Sequence, residues 1–381
     1  MVIKDKFKVL VVIGTRPEAI KLSRVLVELE KHVELIVAHT GQNYDYELNE
    51  IFFEQLGIRK PDFFFNIAKG DPISSIASIL TSSNEIIKKV QPNAFLIYGD
   101  TNSCISALAA KRSRIPIFHM EAGNRCFDLR VPEEINRKII DHLSDINMVL
   151  SEHARRYLIA EGIKPDTIIK TGSSMQEVLD YHKNDIDTSD VLSREGLLKG
   201  EYILVSAHRE ENLDSNENFD SLLESLDGIT DKFKKRIIVS THPRTRKRLE
   251  SIGYVSKNSM IEFMKPFGFF DYIKLQTNAL CVVSDSGTIT EEASLLRFPA
   301  VTIRQAHERP EGMDEGTIIM TGLKKRNILH AMEVAIDHFQ EARIPYETVK
   351  DYQVKNVSKK VVKIILSYTE FINRTVWGKI E

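Results

Sequence analysis

Residues 8–21 read KVLVVIGTRPEAIK. From Val9 to Ile13 the run is apolar without interruption, the mark of a strand covered on both faces, and it stops at Gly14. Pro17 suits the first turn of a helix. The residues that follow, EAIKLSRVLVELEK, carry apolar side chains at helical spacing. A buried strand, a glycine turn and a helix open a βαβ unit, and the rest of the chain can be tested against that start.

Outward from this unit the same alternation recurs. VELIVAH (33–39), NAFLIYG (93–99), IPIFHM (115–120) and INMVLS (146–151) read as further buried strands, with helical patterns between them. A second series follows: YILVSAH (202–208), RIIVSTH (236–242), SMIEFMKP (259–266), LCVVSDS (280–286) and PAVTI (299–303). The polar stretch at 182–201 separates the two series. The expectation is an α/β protein with two Rossmann-like domains joined in that stretch or slightly before it.

Composition narrows the function. The 381 residues are too many for one ordinary core, and 28% charged content with a net charge of -2 gives no global field for nucleic acid or an anionic membrane. An anionic ligand must be caught by a local site. Cys104, Cys126 and Cys281 lie far apart, with no CxxC pair. That spacing fits a reducing compartment and argues against a disulfide framework or a cysteine zinc site. No HExxH-type spacing appears, so neither a metal nor a cofactor is expected. No apolar stretch is long enough to span a bilayer, and the start of the chain reads as a first strand, not a signal peptide.

In doubly wound sheets ligands sit beyond the carboxyl ends of the strands, so the polar residues after each apolar run are the ones to inspect. Ser286, Gly287 and Thr288 end a strand and open a helix, where backbone N–H groups and the helix dipole suit a diphosphate. Glu291 or Glu292 follows at the place of a ribose-binding acid. Arg16 and Lys21 are candidate phosphate ligands. Asp100, Glu121 and Glu133 fall at or just beyond strand ends of the first domain, where clustered carboxylates can split into an acid and a base. His208 and Arg209, in AHREEN, and His242 and Arg244, in THPRTR, suit anion binding or proton transfer. Each also has a plainer reading as a helix cap, an ion pair or a packed histidine.

Laid out in order, GTRPEAIKL, HTGQNYD, GDT, HMEAGNR, PEEINR, TGSS, SAHREEN, HPRTR, SDSGTITEEA and ERPEGMDEGT resemble the motifs of the non-hydrolysing UDP-N-acetylglucosamine 2-epimerase family across nearly the whole chain. The resemblance implies a glycosyltransferase B-type fold with the active site in the interdomain cleft. It implies a first domain of 1–178 completed by a C-terminal helix at about 366–381, and a UDP-binding domain at 179–365. It further implies elimination of UDP to a 2-acetamidoglucal and re-addition after reprotonation at C2. Asp100, Glu121, Glu133, His208 and Lys21 then become the catalytic set. Arg16, Arg209, Glu211, His242, Ser286, Gly287, Thr288, Glu292 and Arg309 become the substrate-binding set. A cytoplasmic homodimer acting on a UDP-sugar, without nucleic-acid or membrane partner, is expected.

The chain departs from the common family pattern in several places. Asn124 stands where leucine is usual, and the stretch from Gly123 to Pro132 is shorter. Thr171-Gly172-Ser173 replaces TGN, and Asp45 lies near the place of a glutamine tied to allosteric activation. The pattern HMEAGNRCFD-x-RVPEE resembles the branch that converts UDP-2-acetamido-2,6-dideoxy-L-talose to UDP-N-acetyl-L-fucosamine for capsule or O-antigen synthesis.

Overall fold

The computed structural model describes residues 6–41, 52–65, 67, 71–213, 215–342 and 345–379, with backbone only at 210 and 211. The chain divides into two compact units, Met1–Asp180 with Asp351–Glu381, and Tyr181–Lys350.

The first unit holds a parallel sheet of seven strands: β1 Lys8–Ile13, β2 Glu34–His39, β3 Phe63–Phe64, β4 Ala94–Tyr98, β5 Ile117–Ala122, β6 Ile146–Val149 and β7 Ile168–Lys170. Their order across the sheet is β3-β2-β1-β4-β5-β6-β7. The order reverses between β1 and β4, which makes the carboxyl ends of those two strands the topological switch point. GTRPE follows β1 and GDT follows β4, so both motifs sit there. Val9, Val11 and Ile13 alternate with Leu10 and Val12, and all are buried. Leu10 and Val12 join Ile36, Ala38, Phe95 and Ile97 in one core. Successive side chains of a strand point to opposite faces, so the whole run must be apolar when both faces are covered.

The second unit repeats the plan with six parallel strands: β8 Tyr202–Ser206, β9 Arg236–Ser240, β10 Ile261–Met264, β11 Cys281–Ser284, β12 Ala300–Thr302 and β13 Ile319–Met320. The order is β10-β9-β8-β11-β12-β13, and the switch point lies between β8 and β11. Ile203, Val205, Ile237 and Val239 enter one core, while Tyr202, Leu204 and Ile238 enter a second on the other face. AHRE follows β8 and DSGT follows β11, again at the switch.

The chain returns to the first unit at Asp351, ahead of the 366 expected from sequence. Packing explains the difference. Tyr352 is fully buried, and Val354 and the Asp351 carbonyl press on Gly172, whose φ of +83° and lack of a Cβ allow that approach. The helix Val357–Thr375 then packs against Arg16–His32.

Candidate functional site

The first unit brings Lys21, Tyr98 and Glu121 together. Glu121 interrupts the register of β5 against β6 and has a φ of 64°. A non-glycine residue in that region is strained, and such strain persists where surrounding contacts fix the residue. The contacts here are Lys21 Nζ and Tyr98 OH, each 2.7 Å from Glu121 Oε2. Lys21 is buried, so the pair is shielded from water. The sequence offered Lys21 both as a phosphate ligand and as a member of the catalytic set; in the fold it meets Glu121.

Asp100, after β4, receives Arg137 through Nε and Nη2, both 2.7 Å from Oδ2. Arg137 also donates to Glu134 at 2.9 Å. Asp100 and Glu121 are thus each matched with a cation, not set against one another. Glu133 stands half-buried in the first turn of the helix Pro132–Leu143. Its neighbour Glu134 is fully buried and accepts from the backbone N–H groups of Cys126 and Phe127 at 3.0 and 3.2 Å. Burial works against the charge of Glu134, but the Cys126 amide and Arg137 outweigh it and hold the carboxyl below its ordinary value. The stretch between Glu121 and Glu133 is tied down in this way. Arg16 lays its guanidinium over the ring of Phe52, 4.7 Å from the centroid.

The carboxyl with raised proton affinity is one the sequence reading passed over. Glu18, inside GTRPE, is buried and pushed up to about 7, chiefly by desolvation. It accepts from the Gly14 amide at 2.6 Å and from Thr101 Oγ1 at 2.5 Å. Glu18 therefore ties the loop after β1, which carries Arg16, to the loop after β4, which carries Asp100. The alternation of acid and apolar residues around it looks like an ordinary helix start, so no signal marked it. His119 bridges Asp141 and the Gly99 carbonyl, both at 2.9 Å, directly beneath the GDT turn.

In the second unit Asp285 organises the loop after β8. It is fully buried and accepts from the amides of His208 and Arg209, both at 2.9 Å, and from Asn212 Nδ2 at 3.0 Å. His208 Nδ1 lies 3.1 Å from its other oxygen. Desolvation opposes its charge, yet His208 and these donors hold it well below the usual carboxylate range. Asp285 was hidden in SDSGT behind the residues read as a phosphate loop. The ring of His242 lies 5.5 Å from that of His208, and its Nδ1 accepts from the Arg244 amide at the start of the helix Pro243–Ser251.

The amides of Ser286 and Thr288, expected to face a ligand, have partners within the loop: Ser284 Oγ at 3.1 Å and Ser286 Oγ at 3.3 Å. Short hydroxyl side chains reach back and satisfy them, as at many helix starts. Glu292 accepts from Gln276 Nε2 at 2.6 Å and is largely enclosed. Arg309 reaches Glu291 Oε2 through Nε and Nη2 at 3.2 and 3.1 Å. Asp45 and the side chain of Glu211 lie outside the described residues. Among the described residues no group of three or more metal-ligating side chains converges. No described helix is long and apolar enough to cross a membrane.

Comparison with known proteins agrees with this fold. The family model described as UDP-N-acetylglucosamine 2-epimerase matches residues 27–366. A solved structure of UDP-N-acetylglucosamine 2-epimerase from Rickettsia bellii is 51% identical, covers 98% of this chain and all of its own, and superposes with a TM-score of 0.91. The Methanocaldococcus jannaschii UDP-GlcNAc 2-epimerase, solved with UDP-GlcNAc and UDP, is 31% identical over 95% of this chain and 100% of its own, with a TM-score of 0.89. A Pseudomonas aeruginosa protein named UDP-2,3-diacetamido-2,3-dideoxy-D-glucuronate 2-epimerase is 34% identical over 86% of this chain and 92% of its own. Two switch points, with Asp100 held by Arg137 after one and an aspartate-organised histidine loop after the other, stand in a chain of this likeness. The protein belongs to the UDP-N-acetylglucosamine 2-epimerase family and is a non-hydrolysing UDP-sugar 2-epimerase, an isomerase.

Proposed function

We propose that the chain interconverts UDP-2-acetamido-2,6-dideoxy-L-talose and UDP-N-acetyl-L-fucosamine. The proton at C2 is not flanked by a carbonyl, so its removal gives no stabilised enolate; loss of UDP from C1 makes the step feasible. The second unit holds the UDP through Ser286–Thr288, His208 and the arginines near them, with Glu292 for the ribose. Asp100, Glu121 and Glu133 of the first unit exchange the proton at C2, and Arg16 steadies the leaving diphosphate. Lys21 Nζ, 2.7 Å from Glu121 Oε2, holds this carboxylate in place.

The observation that carries the choice of sugar is the short stretch Asn124–Val131. Glu134 gathers it through the amides of Cys126 and Phe127, and Asp128 holds Arg130 at 2.7 Å. A compact turn between two reactive carboxylates reshapes the side of the site where a sugar of L-configuration carries its C6 methyl. A hexose would bury an unpaired hydroxyl there, at a cost of about 1–3 kcal/mol. On this reading the enzyme works in the cytoplasm as a homodimer and supplies capsule or O-antigen synthesis. The second reading is the hexose pair, UDP-N-acetylglucosamine and UDP-N-acetylmannosamine, favoured by the name of the 51% identical Rickettsia bellii protein.

NMR of both substrate pairs with the enzyme, following the configuration at C2, tests the proposal. A higher kcat/KM for the 6-deoxy-L pair supports it, and a clear preference for the hexose pair replaces it with the second reading.

A further inference from the structure

Beside Gly287 the second unit buries a carboxylate among arginines. Glu308 Oε2 is 2.6 Å from Arg304 Nη1, and Oε1 is 3.4 Å from Arg309 Nη1 and 3.9 Å from Arg209 Nη2. The same Oε1 stands 2.5 Å from the point a Cβ on Gly287 would occupy, so it fills the room left by the missing side chain. Glu308, Arg304 and Arg309 are each at least 95% buried. Arg304 Nε and Nη2 have no hydrogen-bond partner among the described residues. Guanidinium groups in a protein interior rarely leave donors unused, and a planar fork with spare N–H groups matches phosphate oxygens.

We propose that Glu308 is a resident anion, neutralising the arginines beside Gly287 until the diphosphate of a nucleotide takes its place. The proposal rests on the reading that the second unit holds UDP at Ser286–Thr288. Glu291 already meets Arg309, but the buried guanidinium of Arg304, with Nε and Nη2 unpartnered, would be costly to hold without a counter-charge. A carboxylate supplied by the chain removes that cost in the ligand-free protein. It also makes capture of UDP an exchange of one anion for another, so affinity is set by a difference, not by the full attraction of the arginines. In an enzyme that must release and recapture UDP at every turnover, that difference keeps binding from becoming too tight.

The test is calorimetric titration of UDP, and separately of inorganic pyrophosphate, into the full chain and its Glu308→Gln and Glu308→Asp variants, each checked for folding by circular dichroism. Removing a competing charge-assisted contact should tighten both ligands roughly tenfold to a hundredfold in Glu308→Gln. Glu308→Asp, whose shorter carboxylate is withdrawn from Gly287, should gain several-fold. Unchanged or weaker affinity in the folded Gln variant overturns the proposal, and if that variant does not fold, the absence of any gain in the Asp variant does so. The Gly287 amide resonance of the wild-type protein is followed during the UDP titration. If it does not move, the assignment of the UDP site fails; if it moves without a gain in the variants, only the resident-anion proposal fails.

Discussion

Lys21 Nζ and Tyr98 OH meet the same oxygen of Glu121, each at 2.7 Å, although the three residues come from three different elements of the first unit. A carboxylate held this way keeps its orientation, as the proposed base at C2 would need. Lys21→Met should lower turnover about 10²–10⁴-fold, the range of a general acid–base contribution. UDP affinity should stay within about twofold of the wild type, since this cation serves the carboxylate. Loss of UDP binding in step with turnover would show that Lys21 serves the diphosphate, as its place in GTRPEAIK first suggested.

Glu18 gives a pH dependence with a definite sign. Its folded value of about 7 lies above the ordinary 4.5, chiefly because burial penalises the charged form. The fold therefore prefers the neutral carboxyl. The stability this contributes is fully present below about pH 4.5 and is lost as pH rises through 7, about 3 kcal/mol in all. Glu18→Gln, neutral at every pH and able to accept from the Gly14 amide while its NH2 donates to Thr101 Oγ1, should flatten the decline between pH 5 and pH 8. Thermal melts across that range decide the matter: parallel declines in the two proteins would place the source elsewhere.

Asp285 has the opposite sign. Its folded value is depressed, so its contribution is present above the ordinary carboxylate range and disappears only in strong acid. At neutral pH the substitution, not the proton, is informative. Asp285→Asn replaces a charged acceptor of the His208 and Arg209 amides by a neutral one and releases the imidazole. UDP affinity should fall at least about tenfold, because a hydrogen bond to a charged group is worth about 1.5–3 kcal/mol. Full retention of affinity, measured by calorimetry, would reduce Asp285 to a packing role.

Proton exchange at C2 makes an isotope prediction. Epimerisation in D2O should place deuterium at C2 of the product if, as proposed, the proton returned there comes from a carboxyl that exchanges with solvent. Product that keeps the original hydrogen, seen by mass spectrometry or NMR, would exclude loss of the proton to an exchanging group.

The long buried strands were legible because both of their faces are covered, which leaves runs such as Val9–Ile13 and Ile203–Val205 without polar residues. Strands β3, β7 and β13 were not. They have two or three residues each, and their pairing is decided by the neighbour, not by a run of their own. The motif residues fell at the switch points because both sheets reverse where GTRPE, GDT, AHRE and DSGT end their strands. The partners stayed hidden. Nothing local pairs Tyr98 with Glu121 or Glu18 with Thr101, which are 23 and 83 positions apart. Burial, which turns Glu18 into a group that titrates near neutrality, is a property of the fold alone.

The return of the chain at Asp351 sets an order of assembly. During synthesis Tyr181–Lys350 emerges as one uninterrupted piece and can close its sheet at once. The unit that bears Lys21, Asp100 and Glu121 must wait, its helix Arg16–His32 still lacking the cover of Val357–Thr375 until the whole second unit has been made. A chain cut just before Asp351 would thus lose part of the unit that begins at its N-terminal side and keep Tyr181–Lys350 whole.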